Sequence, residues 1–233
     1  MTVRVTPPSI LATALLVARK DLLIEFRTRS AFLAAVVFAL VAVVIFRFSS
    51  DPTAVSPLDL APGVLWTIFV FSGILGLHRS FGIEQADRAI DALLAAPVPR
   101  ESIFVGKLLA NFAFVACVQL VAIPAVALFY DLPIGGGILA GIFAIAALAA
   151  VGLVSVGTLF SAMTVNTRLA ELLLPMLALP FFVPVVTPAA LATARLLAGR
   201  PLAEVGGMLK LLGSFDLVFL VACTLAFPYT LED

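Results

Sequence analysis

Long apolar runs broken by short polar punctuation, with no strand-like alternation, dominate the chain. A helix rises about 1.5 Å per residue, so roughly 20 apolar residues cross a hydrocarbon core of about 30 Å. Six segments qualify on that scale: Ala31–Phe48, Pro62–Leu77, Ile103–Tyr130, Pro133–Met163, Leu169–Thr187 and Leu211–Tyr229. The third and fourth exceed a single crossing, which predicts tilt or an interfacial start. The pattern therefore predicts an all-α integral membrane protein with six transmembrane helices in a single domain, 1–233.

Two further helices are expected outside the spans. In 9–29, Leu11, Leu15, Ala18, Leu22 and Phe26 share one face, with Lys20 and Arg27 opposite. That spacing predicts a helix lying in the membrane interface and leading into the first span. No small-residue cleavage site precedes Arg19-Lys20-Asp21, so a cleaved signal peptide is not expected.

The second lies at about 81–97, between spans two and three. Ile83, Ala86, Ile90, Leu93 and Leu94 share a face; Glu84, Asp87, Arg88 and Asp91 form another, with Glu84 and Arg88 in the favourable i,i+4 order. Ser80 is the expected N-cap, and Pro97 with Pro99 stops the helix. A membrane-surface helix favours Lys and Arg, whereas this one carries three acids and one Arg. It suits docking into a protein groove through Phe81, Glu84, Asp87, Arg88, Asp91, Leu93, Leu94 and Pro97.

Composition sharpens this picture. Hydrophobic residues make up 63% and charged residues 12%, against about half and about a quarter in soluble domains. A net charge of +0 is uninformative, because the side of the membrane matters and the sum does not. With termini inside, Arg4, Arg19, Lys20, Arg27, Arg29, Arg79, Arg88, Arg100, Lys107 and Arg168 face the cytoplasm. Only Arg47, Arg195, Arg200 and Lys210 lie outside. The positive-inside bias thus predicts cytoplasmic termini, a cytoplasmic 79–102 loop and an external 187–210 loop.

Within the spans, Pro175, Pro180, Pro184 and Pro188 predict a fifth segment that is bent, or a broken pair re-entering from outside. Ser72, Gly76 and Ser80, and likewise Gly137 and Gly141, permit close helix approach. Asn111 and Gln119 are polar candidates for interhelical bonds or for a substrate pathway. Lys107 is expected to snorkel, Trp66 to anchor in the aromatic belt, and His78 to end a helix at the interface instead of ligating a metal. Cys117 and Cys223 carry no metal or haem-attachment spacing.

Absent chemistry narrows the class. The deep parts of the predicted spans hold no Asp, Glu, Arg or His; Asp216 falls in the first turns of the last span, and Glu171 pairs with Arg168 at a helix start. Ion-coupled transport is therefore not expected. Gly106-Lys107 has Glu101 where a phosphate loop needs glycine, and no HExxH occurs. Nothing indicates nucleic-acid binding. The chain is expected to be no enzyme, and to take its energy from elsewhere.

At these residues the sequence resembles a known family. The 76–97 loop with Arg100-Glu-Ser-Ile-Phe-Val-Gly-Lys107, the start Arg19-Lys-Asp-Leu-Leu-Ile-Glu-Phe-Arg27, the proline-rich Glu171–Pro184 and the ending Phe227–Asp233 look like permeases of ABC exporters, most closely the CcmB family of cytochrome c maturation. The resemblance spans the chain and implies an inner-membrane permease of ABC exporter type, with 81–97 as a coupling helix. It further implies a CcmA-type ATPase holding the ATP, CcmC and CcmD as membrane partners, and transient contact with the haem chaperone CcmE. The process served would be haem export or release of haem-loaded chaperone. No cofactor bound by this chain is expected; haem as cargo and a homodimer stay open. The tryptophan-rich haem motif of the CcmC-type partner is missing. Two alternatives stand beside this reading: the permease of another small exporter, for lipid, drug or polysaccharide, and a nonconducting scaffold.

Overall fold

The computed structural model describes residues 9–51, 53, 55–86, 98–132, 135–165, 167 and 169–231. They form seven α-helices: α1 (Ile10–Thr28), α2 (Ser30–Ser49), α3 (Pro57–Ala86), α4 (Arg100–Phe129), α5 (Gly136–Thr164), α6 (Ala170–Leu197) and α7 (Leu202–Ala226), followed by a 3-10 turn, Phe227–Leu231. Six of them, α2 to α7, are long and apolar enough to cross a membrane.

α1 starts at Ser9, whose Oγ accepts the Ala12 N–H at 3.3 Å. It ends at Arg29, held in the left-handed region at φ 54°, which turns the chain directly into α2. The expected apolar face of α1 is split: Leu11, Leu15 and Phe26 are exposed and Leu22 is half-buried, while Ala18 of that face is buried together with Thr13, Ala14 and Val17. In an interfacial helix this is consistent, because the large side chains meet lipid and the small face packs on protein. The small face lies along α4, so closely that a Cβ on Gly106 would sit 2.6 Å from the Ala14 carbonyl oxygen.

α3 is the central helix, with 67% of its spanning window buried, and α7 the most peripheral at 22%. α5 packs on α3, α4, α6 and α7. Its Gly157 leaves room for the Leu77 side chain of α3, and its Ser161 Oγ donates to the Leu77 carbonyl at 2.7 Å. The spans alternate up and down, so the N-terminal helix and the C-terminal 3-10 turn lie at the same end, both against α4. There Phe227 packs on Phe81 and Phe104, and Arg100 donates to the Pro228 carbonyl at 3.1 Å. We call this end the base.

Four sequence expectations need correction. Span two runs unbroken from Pro57 to Ala86, so Ser80 lies inside a helix and caps nothing. The fifth segment is one continuous helix through all four prolines and ends at Leu197, so the broken, re-entrant alternative falls and the single-helix alternative stands. Carbonyls freed by proline are tolerated in a bundle where neighbours and local adjustment satisfy them. The expected 187–210 loop shrinks to the turn between Leu197 and Leu202, with Gly199 at φ 72° supplying the left-handed step. Trp66 is no belt anchor: it is 2% exposed, and its indole N–H donates to Thr193 Oγ1 at 3.1 Å.

Candidate functional site

α3 ends at Ala86 and α4 begins at Arg100, and a buried polar knot lies near these two helix ends. At its centre is Lys107 of α4, with no solvent exposure. Its ammonium donates to Asp21 of α1 at 3.2 Å and to the Ser80 carbonyl of α3 at 2.5 Å. It also lies 4.3 Å above the Phe81 ring. Lys107 therefore does not snorkel, because an acid and a carbonyl meet its ammonium inside the protein.

One turn further along α4, Asn111 Nδ2 donates to Ser80 Oγ at 3.0 Å and to Thr158 Oγ1 of α5 at 2.9 Å. Gln119 Nε2 donates to the Ala146 carbonyl of α5 at 3.0 Å. Both amides make interhelical bonds. The knot thus joins α1, α3, α4 and α5 through charged and polar groups satisfied by one another, as buried polar groups must be. Taking one partner away from a buried ion pair costs about 3–5 kcal/mol, so these four helices are held in register at the base.

Of the sequence-predicted docking set, Phe81 is buried in the aromatic cluster with Phe104 and Phe227, beneath the Lys107 ammonium. Glu84 lies on the last turns of α3. Asp87, Arg88, Asp91, Leu93, Leu94 and Pro97 lie outside the described residues. Asp21, Ser80, Lys107 and Thr158 were not singled out as a site. The available signal was a lysine inside the run Ile103–Cys117, apolar but for Lys107 and Asn111, which an acid elsewhere in the chain had to compensate.

Elsewhere, His78 Nε2 stands 3.9 Å from Glu171 Oε1 across α3 and α6, and the expected partner of Glu171, Arg168, lies outside the described residues. Asp216 requires a further correction. α7 begins at Leu202, nine residues before the expected span, so Asp216 sits mid-helix, about 21 Å from its start. It is 4% exposed and rests against Gly152 in the middle of α5. Neither carboxyl oxygen has a hydrogen-bond partner among the described residues. One acid does lie deep within a span, which removes a ground for setting ion coupling aside.

Comparisons with known proteins converge. Residues 12–233 match the family model described as CcmB protein. The chain is 31% identical over 208 residues to heme exporter protein B of Paracoccus denitrificans, covering 89% of each chain. It is 29% identical over 165 residues to heme exporter protein B of Rhodobacter capsulatus, covering 71% of this chain and 75% of that one. Against heme exporter protein B of Haemophilus influenzae the identity is 24% over 201 residues, covering 85% and 87%.

Proposed function

This chain belongs to the CcmB family, and from that premise we propose that it is the membrane permease subunit of an ABC-type haem exporter in c-type cytochrome biogenesis. ATP is hydrolysed by a CcmA-type partner docked at about 81–97, and the work is delivered as haem export or as release of haem-loaded chaperone. CcmC- and CcmD-type subunits complete the assembly in the inner membrane, with both termini of this chain cytoplasmic, as the distribution of Lys and Arg favours. Haem is cargo here and no resident group of this chain.

The buried Lys107 knot carries this reading. A segment between α3 and α4 that is pulled or pushed by a partner must move the ends of both helices. The Asp21, Ser80 and Asn111 contacts tie those ends to α1 and α5. A displacement at the base therefore spreads across four helices instead of being absorbed by one. The acids Glu84, Asp87 and Asp91 suit basic side chains on the partner.

The test is capture of a CcmA-type ATPase by the full chain in detergent or nanodiscs. Glu84→Lys combined with Asp91→Lys should lower capture at least tenfold while the chain elutes as a folded species. Undiminished capture with unchanged stimulation of ATP hydrolysis would overturn the docking assignment.

A further inference from the structure

A cavity of about 390 Å³ opens at the base between α1, α2, α3 and α4. It exists because α1 lies along α4 and makes few contacts with α2, while α2, after the turn at Arg29, packs on α3 and α4. A wedge stays open between the two. Its deep wall is apolar, built from Leu22, Phe32, Gly76, Ala113, Phe114 and Cys117. Gly76 is required there, because a Cβ would overlap the Phe114 ring. From Ala110 to Cys117 the wall descends about 10 Å along α4.

The rim is different. Four charged side chains line it: Asp21, Glu25, Arg29 and Arg79. The two acids are engaged within the protein, Asp21 with Lys20 and Lys107, and Glu25 with the Phe32 N–H at 2.9 Å. The two arginines bond only neutral groups: Arg29 the Phe26 carbonyl, and Arg79 the Ser30 hydroxyl. Among the described residues neither is in an ion pair. Glu25 places a carboxylate on the same rim, but neither guanidinium is tied to it in an ion pair among the described residues. An apolar slot under two such arginines, where α1 lies in the interface, therefore matches an amphiphile with an anionic head.

We propose that this cavity is a binding site for an anionic phospholipid of the leaflet at the base, its acyl chain in the slot toward Cys117 and its phosphate on Arg29 and Arg79. The open side toward the α1–α2 wedge admits a chain from the bilayer. The bound lipid would fill the space that α1 and α2 leave at the knot. This assignment goes beyond the coupling reading and stands without it.

Cys117 is an exposed native thiol in the slot, and Cys223 is buried. The full chain, with Cys223→Ser as a background control, is delipidated in detergent, and modification of Cys117 by a small maleimide is timed. Phosphatidylglycerol should slow the reaction at least three-fold and phosphatidylcholine should not. Arg29→Gln with Arg79→Gln should abolish that difference, and Ala113→Phe, which fills the slot with both arginines kept, should make the rate lipid-independent. Equal protection by both lipids, protection by neither, or protection by inorganic phosphate alone overturns the site. Protection by haemin but not by phosphatidylglycerol overturns the lipid assignment, as does a lipid-free dimer in which Cys117 is already shielded.

Discussion

Lys107 Nζ lies 3.2 Å from an Asp21 carboxylate oxygen, with the lysine fully enclosed and the acid largely so. The pair joins the interfacial helix to the third span across 86 residues of sequence.

Lys107→Met leaves Asp21 near the base without its buried partner, and Asp21→Asn leaves the lysine charged in an enclosed site. Asp21 keeps Lys20 at 3.1 Å, so Lys107→Met should cost less than Asp21→Asn, for which up to about 3–5 kcal/mol is expected, and the double change should cost less than their sum. Equilibrium unfolding of the four proteins in one detergent checks this; additive losses would show that the pair is not coupled.

Asn111→Leu removes two interhelical bonds and one polar group while keeping similar bulk. A loss of about 1–2 kcal/mol is expected. On the proposed coupling, a CcmA-type ATPase should still be captured by this variant, with its hydrolysis less responsive to this chain. Full responsiveness would place transmission elsewhere.

Two glycines separate close packing from mere composition. Gly106→Ala drives a methyl against the Ala14 carbonyl of α1, and a cost of about 1–3 kcal/mol is expected. Gly63→Ala meets nothing within 4 Å and should be neutral or stabilising by about 0.5–1 kcal/mol. Thermal unfolding of both variants tests the contrast.

Gly152→Ala places a methyl on the Asp216 carboxyl and should destabilise the α5–α7 contact. Asp216→Ala removes a buried group that has no hydrogen-bond partner among the described residues, which costs about 1–3 kcal/mol to keep, so it should stabilise the bundle. Combined with Gly152→Ala it should erase that variant's penalty. A penalty that persists in the double variant would mean that Val185, the other close neighbour, sets it.

Trp66 is the sole tryptophan, so emission reports its site directly. The native chain should emit at short wavelength and resist acrylamide quenching. Thr193→Val strands the indole N–H and should cost about 1–3 kcal/mol. Emission and quenching typical of an exposed indole in the native chain would contradict the buried position.

The number of spans and the apolar stretches were legible because lipid imposes a single requirement: about 20 apolar residues with every backbone group bonded internally. The N-terminal helix followed from spacing, whereas Asn111 and Gln119 stood open between interhelical bonds and a substrate pathway, and their helix partners were not legible. Helix ends were less legible. Glu204, Gly206, Gly207 and Lys210 read as loop, yet they form the first turns of α7, where Val205 is fully buried. Packing outweighs the roughly 1 kcal/mol that each helical glycine costs. The same misplaced boundary hid the depth of Asp216.

The sequence by itself determined that this chain spans a membrane six times, with charges gathered toward one end. Hydropathy is a property of each segment and needs no neighbour. Only the tertiary structure decided what Lys107 does. Snorkelling and burial differ by the presence of Asp21 and the Ser80 carbonyl, which lie 86 and 27 residues away in the chain. Whether a charge is stable inside a bundle depends on partners that no local pattern names.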